Sequence, residues 1–188
     1  MVRTYLIGNL PNLITMARLG LTPVAIAMIV SQRYIEAFAV FVVAGVSDGI
    51  DGFIAKRYNL TSELGAYLDP LADKALIVSI YVALGIAGAL AIPLVILVVS
   101  RDIMIISGFM LSWLVGKPMP IRPLPVSKAN TVAQILLATL VLAEHGFGFD
   151  AKLIVTVIAG GVAVLTLLSI AFYLAEWLRH MNSFGTGH

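Results

Sequence analysis

Long, unbroken apolar runs limit what this chain can fold into more than any other feature of its sequence. Six segments, roughly 13–31, 37–56, 66–88, 91–115, 129–144 and 153–176, approach the ~20 mostly apolar residues that a membrane-crossing helix needs. Their apolar residues are continuous rather than alternating, which rules out transmembrane β-strands. Only 12% of the 188 residues are charged and 60% are hydrophobic, with a mean hydropathy of +1.01. Soluble domains carry about 25% charge. The expected fold is therefore an all-α integral membrane protein: six transmembrane helices preceded by an N-terminal interfacial helix over 1–12. Residues 1–188 read as a single domain, with 180–188 as a flexible tail. The net charge of +2 is small and spread out, so nucleic acid is not implied, and without cysteine there are no disulfides. The lead-in holds Arg3, Asn9, Asn12 and Arg18 and lacks the small-residue pattern of a cleavable signal.

Lysine and arginine placement orients the spans. Arg3, Arg18, Lys56, Arg57, Lys117, Arg122, Lys128 and Arg179 fall on one side, and only Arg33 and Lys152 on the other. The positive-inside bias places both termini in the cytoplasm, together with the link between the second and third spans.

Beside that link stand four aspartates, Asp48, Asp51, Asp69 and Asp73. A carboxylate at membrane depth costs ~2.5–3.5 kcal/mol on insertion scales, so four persist only with strong compensation. Spacings of three (Asp48, Asp51) and four (Asp69, Asp73) put each pair on one helix face. Both pairs are nearly equidistant from a polar turn around Tyr58–Glu63, so an antiparallel hairpin brings them to one level, roughly 10–14 Å from the turn. Oxygen donors with no nearby Cys or His point to one or two hard divalent ions, Mg2+ or Mn2+, with Ca2+ as a substitute. Gly45 and Gly49 fit close helix packing. Gly52 and Ala55 sit beside the acidic pair, where a missing side chain leaves room for a ligand against the backbone. Lys56 and Arg57 follow, where a phosphate would project or where cations would simply snorkel.

The spacing Asp-x2-Asp-Gly-x2-Ala-Arg-x8-Gly-x3-Asp-x3-Asp resembles the signature of the CDP-alcohol phosphotransferases. It is matched at Asp48, Asp51, Gly52, Ala55, Gly65, Asp69 and Asp73, with Lys56 in place of the family arginine. The similarity runs from Asn9-Leu-Pro-Asn-Leu-Ile-Thr15 to Ser127-Lys-Ala-Asn-Thr-Val-Ala-Gln134. The resemblance implies that a CDP-linked lipid binds with its diphosphate on a pair of metal ions, and that an acceptor hydroxyl attacks the lipid-side phosphorus and expels CMP. It further implies Asp48, Asp51, Asp69 and Asp73 as metal ligands, Asp73 also as general base, and Gly52, Ala55, Lys56 and Gly65 as the CDP pocket.

Three cations are candidates for an acceptor phosphate. Arg101, followed by Asp102, interrupts the fourth apolar run, and an intramembrane ionisable residue is a functional candidate by default. Neighbours point about 100° apart on a helix, so this pair is not expected to neutralise itself face to face. Lys128 opens the fifth span, and Arg122 lies between Pro120 and Pro123. Lys74 balances the acids. Trp113, Trp177, Tyr173 and Tyr81 read as interface or packing residues, and His145, His180 and His188 as link and tail residues. The stretches Ile92–Ile106 and Arg122–Gln134 look most like CMP-forming cardiolipin synthases, with phosphatidylglycerophosphate synthases as near relatives. The first resemblance implies CDP-diacylglycerol and phosphatidylglycerol as substrates and a cleft open to the bilayer. It also implies a homodimer in a bacterial or mitochondrial inner membrane, working in phospholipid biosynthesis. A divalent-cation channel is the competing class, but it would spread its acids along several helices.

Overall fold

Apolar runs of this length leave the backbone little choice but helix, and helix is what forms. The computed structural model describes the backbone of residues 2–58, 63–114 and 125–182, and the side chains of 16–47, 74–108, 110, 114 and 125–179. Among these are six helices and no strand: α1 (Val2–Val30), α2 (Tyr34–Tyr58), α3 (Glu63–Ile86), α4 (Ile92–Leu114), α5 (Pro125–Phe147) and α6 (Lys152–Asn182). α5 and the stretch Lys152–Arg179 of α6 are long and apolar enough to cross a membrane. Met16–Val30, Tyr34–Ser47 and Lys74–Ile86 are shorter apolar helical stretches.

Several boundaries differ from the sequence reading. The expected break between a lead-in and a first span is absent, because α1 runs unbroken through Pro11. α5 begins at Pro125 rather than near 129, since proline suits the first turn of a helix, where its missing N–H is not needed. α6 continues to Asn182, into the segment expected to be a flexible tail; residues 183–188 lie outside the described ones.

Tight caps end three helices. After α1, Gln32 takes a left-handed φ of 59°, with Gln32 N–H donating to Ile29 and Arg33 N–H to Met28. After α3, Gly88 (φ 75°) donates to Gly85, and Ala89 donates to Leu84. This is the paired reverse bonding that satisfies the last carbonyls of a helix. Glycine accepts such a φ freely, whereas glutamine does so at a cost. At α5 the corresponding residue is Gly148, φ 71°.

The chain divides into two compact units: 1–90 with 138–150, and 91–137 with 151–188. In the first, α1 packs on both α2 and α3. Its core is Ala25 and Ile29 of α1, Ala37, Phe41 and Ala44 of α2, and Leu76, Ile80, Tyr81 and Leu84 of α3. The recurrence of alanine at these contacts lets backbones approach closely. Gly45 does not share in this packing as its sequence context suggested, since a Cβ there would meet nothing within 4 Å. Gly146 of α5 is the close approach instead, where a Cβ would lie 3.1 Å from the Ile35 backbone nitrogen. Beside it His145, expected in a polar link, lies in the last turn of α5, with its ring tilted against Tyr34 at 5.0 Å and Nδ1 donating to the Val141 carbonyl. At the start of α2, Arg33 donates to Glu36 at 2.8 Å, which holds that exposed carboxyl below its usual range.

In the second unit α4 packs on α6. It buries Leu94, Val95, Val98, Leu137 and Val162 and, with them, a set of polar groups.

Candidate active site

Both halves of the acidic motif are on helices. α2 runs through Asp48, Asp51, Gly52, Ala55 and Lys56 before ending at Tyr58, and α3 begins at Glu63 and carries Gly65, Asp69 and Asp73. Residues 59–62 of the expected turn lie outside the described ones, and the helical backbone on either side is the conformation that the three- and four-residue spacings assume. The side chains of 48–73, and all of Arg122, lie outside the described residues. Among the described residues there is no group of three or more His, Cys, Asp or Glu that could hold a metal. The donor set of the motif, four carboxylates on two consecutive helices, fits a hard divalent ion.

The second polar centre is described in full. Arg101 on α4 is completely buried, and Asp102 is 3% exposed. The two form an ion pair, Nη1 to Oδ1 at 2.5 Å. This corrects the expectation that adjacent residues on a helix could not meet. The 100° separation holds for the Cα–Cβ bonds, but the arginine stem is long enough to bring the guanidinium back to its neighbour's carboxylate. Three further contacts fix the group. Ser169 of α6 accepts from Nε at 3.1 Å and from Nη2 at 2.9 Å. Ser127 of α5 accepts from Nη2 as well. Tyr173, one turn beyond Ser169, places its ring 5.9 Å from the guanidinium carbon, within cation–π range. Burying a charge demands this degree of compensation.

One turn further along, the Thr166 hydroxyl lies 3.1 Å from Asn130 Oδ1 and 2.7 Å from the Val162 carbonyl. Ser127 and Asn130 step forward along α5 by three residues while Ser169 and Thr166 step back along α6 by three, so the helices are joined once directly, through Asn130 and Thr166, and once through Arg101. Lys128 is exposed beside Ser127. Ser169 and Thr166 were not singled out by their sequence context, and Tyr173, expected at an interface or in packing, lies over the guanidinium instead. The signal was available only as polar residues spaced three to four apart in a run otherwise made of Val, Leu, Ile and Ala.

A family model for CDP-alcohol phosphatidyltransferases matches residues 8–175. The chain belongs to the CDP-alcohol phosphatidyltransferase family. Within that family it is similar to the CMP-forming cardiolipin synthase of Rattus norvegicus, 36% identical over 157 residues, which are 75% of this chain and 52% of the relative. It is also similar to the chloroplastic CDP-diacylglycerol–glycerol-3-phosphate 3-phosphatidyltransferase 1 of Oryza sativa, 35% identical over 183 residues, 88% of this chain and 56% of the relative. The enzyme of that second name from Pseudomonas fluorescens is 31% identical over 188 residues, 94% of each chain. The chain spans about half the length of the first two relatives.

Proposed function

We propose that this member of the family transfers a phosphatidyl group from CDP-diacylglycerol to phosphatidylglycerol, giving cardiolipin and CMP. The observation that carries the reading is the family's acidic signature, placed on two consecutive helices of a chain whose match to the family model covers most of its length. In this reading the acceptor hydroxyl oxygen forms a bond to the lipid-side phosphorus, the bond from that phosphorus to CMP breaks, and Asp73 takes the hydroxyl proton. Divalent cations held by Asp48, Asp51, Asp69 and Asp73 would neutralise the diphosphate and the departing CMP. Gly52, Ala55 and Gly65 shape the cytidine pocket by leaving backbone uncovered, and Lys56, with Arg57 beside it, meets the phosphates.

Arg101, Lys128 and Arg122 receive the acceptor phosphate. Arg101 is suited to this although buried, because its Nε and Nη2 donate only to neutral hydroxyls, which a phosphate oxygen outcompetes as a charge-assisted partner.

We place the six helices across a bacterial or mitochondrial inner membrane, with the N-terminal part of α1 at the interface and both termini and the acidic site on the cytoplasmic side. The exposed apolar residues along α6, among them Leu153, Val157, Val164 and Phe172, suit a lipid-facing surface. A homodimer completes this proposal.

The second reading, a phosphatidylglycerophosphate synthase using glycerol-3-phosphate, has support of its own. A relative matched over 94% of its own length and of this chain carries that type of name. Purified protein supplied with CDP-diacylglycerol separates the two. Phosphatidylglycerol should drive CMP release only when Mg2+ or Mn2+ is present; productive turnover with glycerol-3-phosphate alone establishes the second reading instead.

A further inference from the structure

The two serines that hold Arg101 contact it differently, and the difference assigns them different tasks. Ser169 accepts from both Nε and Nη2, so it spans one edge of the planar guanidinium and fixes the plane. Asp102 takes Nη1. Ser127 takes only the remaining direction of Nη2. It stands next to Lys128, the exposed cation proposed for the same anion. Of the three groups on the guanidinium, Ser127 is the half-buried one and makes a single contact, so a phosphate oxygen that takes its place would leave the Ser169 edge and the Asp102 contact intact.

We propose that Ser169 is a positioning residue that keeps Arg101 aimed at the acceptor phosphate, and that Ser127 is a placeholder which the phosphate displaces. The inference rests on the reading that Arg101 binds the acceptor.

The physical consequence is a pair of serine-to-alanine changes with different outcomes. Loss of the Ser169 hydroxyl frees two N–H donors of a fully buried cation, and the guanidinium is no longer held in the plane that the phosphate needs. Loss of the Ser127 hydroxyl removes a competitor. A purely structural role would lower stability in step with the bonds lost, two for Ser169 and one for Ser127, without moving the acceptor KM apart from that of the CDP-lipid.

Steady-state kinetics of CMP release with CDP-diacylglycerol test this, run with phosphatidylglycerol and, in parallel, glycerol-3-phosphate as acceptor. Ser169→Ala should raise the KM for the productive acceptor roughly tenfold, with the KM for the CDP-lipid unchanged. Ser127→Ala should leave the acceptor KM at or below that of the unaltered protein. If Ser169→Ala does not fold, Ser169→Cys replaces it, keeping the volume while offering only a weak sulfur acceptor. An unchanged acceptor KM in the Ser169 variant, or an increase in the Ser127 variant matching it, overturns the proposal. Arg101→Lys separates this from the underlying reading. If it raises the acceptor KM while Ser169→Ala does not, Arg101 keeps its role and the serine assignment fails. If Arg101→Lys leaves the acceptor KM unaltered, both fail.

Discussion

Around Ile80 and Leu84 the first unit buries mainly aliphatic and aromatic side chains, whereas the second buries the Arg101–Asp102 ion pair with Ser169, Thr166, Asn130 and Gln134, and keeps Ser127 half-buried against Arg101. Among the described residues, the buried polar positions of the first unit are Arg18 and Thr22, the latter bonded to its own helix at the Arg18 carbonyl. Apolar packing asks only for complementary shape and tolerates volume-conserving exchange. A buried charge asks for specific partners, and each partner lost leaves a group that nothing else can satisfy. The second centre is thus costly to retain for packing alone, which is why its geometry supports a role in binding.

That contrast can be broken or sharpened by thermal unfolding in detergent. Asp102→Leu, leaving Arg101 buried without its counter-charge, should lose about 3–5 kcal/mol, while the double change Arg101→Met with Asp102→Leu should come back close to the original stability. A double variant no more stable than the single one would mean that the pair holds the three helices together by more than mutual neutralisation. In the first unit the corresponding weak point is shape. Gly146→Ala should cost about 1–3 kcal/mol, because its Cβ would press on the Ile35 backbone, against a gain in helix propensity of about 1 kcal/mol. Gly161→Ala in α6, where a Cβ meets nothing within 4 Å, should be neutral or stabilising and serves as its control. The smallest effect belongs to the cap. Gln32→Gly should raise stability by about 0.5–1 kcal/mol, since glutamine holds a left-handed φ there.

Much of this was legible in the sequence because it depends on local pattern. Apolar run length located the helices, and the polar stretch around Tyr58–Glu63 marked the boundary between α2 and α3. The acidic spacing alone carries the signature of the family that the chain belongs to. What escaped was set by side-chain reach and by distance along the chain. The Arg101–Asp102 pair was missed because backbone angles were applied to a side chain that folds back on its stem. Ser169 lies 68 residues from Arg101, and no spacing rule joins them. Gly45 and Gly146 look alike as letters; only the neighbouring backbone makes one of them a close contact.

Asp73 is the residue on which the proposed chemistry depends most directly. With CDP-diacylglycerol, the productive acceptor and Mg2+ supplied, Asp73→Asn should reduce CMP release by a factor of about 10²–10⁴, while binding of the CDP-lipid, followed separately, persists in part. Turnover in that variant equal to the unaltered protein would contradict the assignment of the acidic helices as the seat of the chemistry.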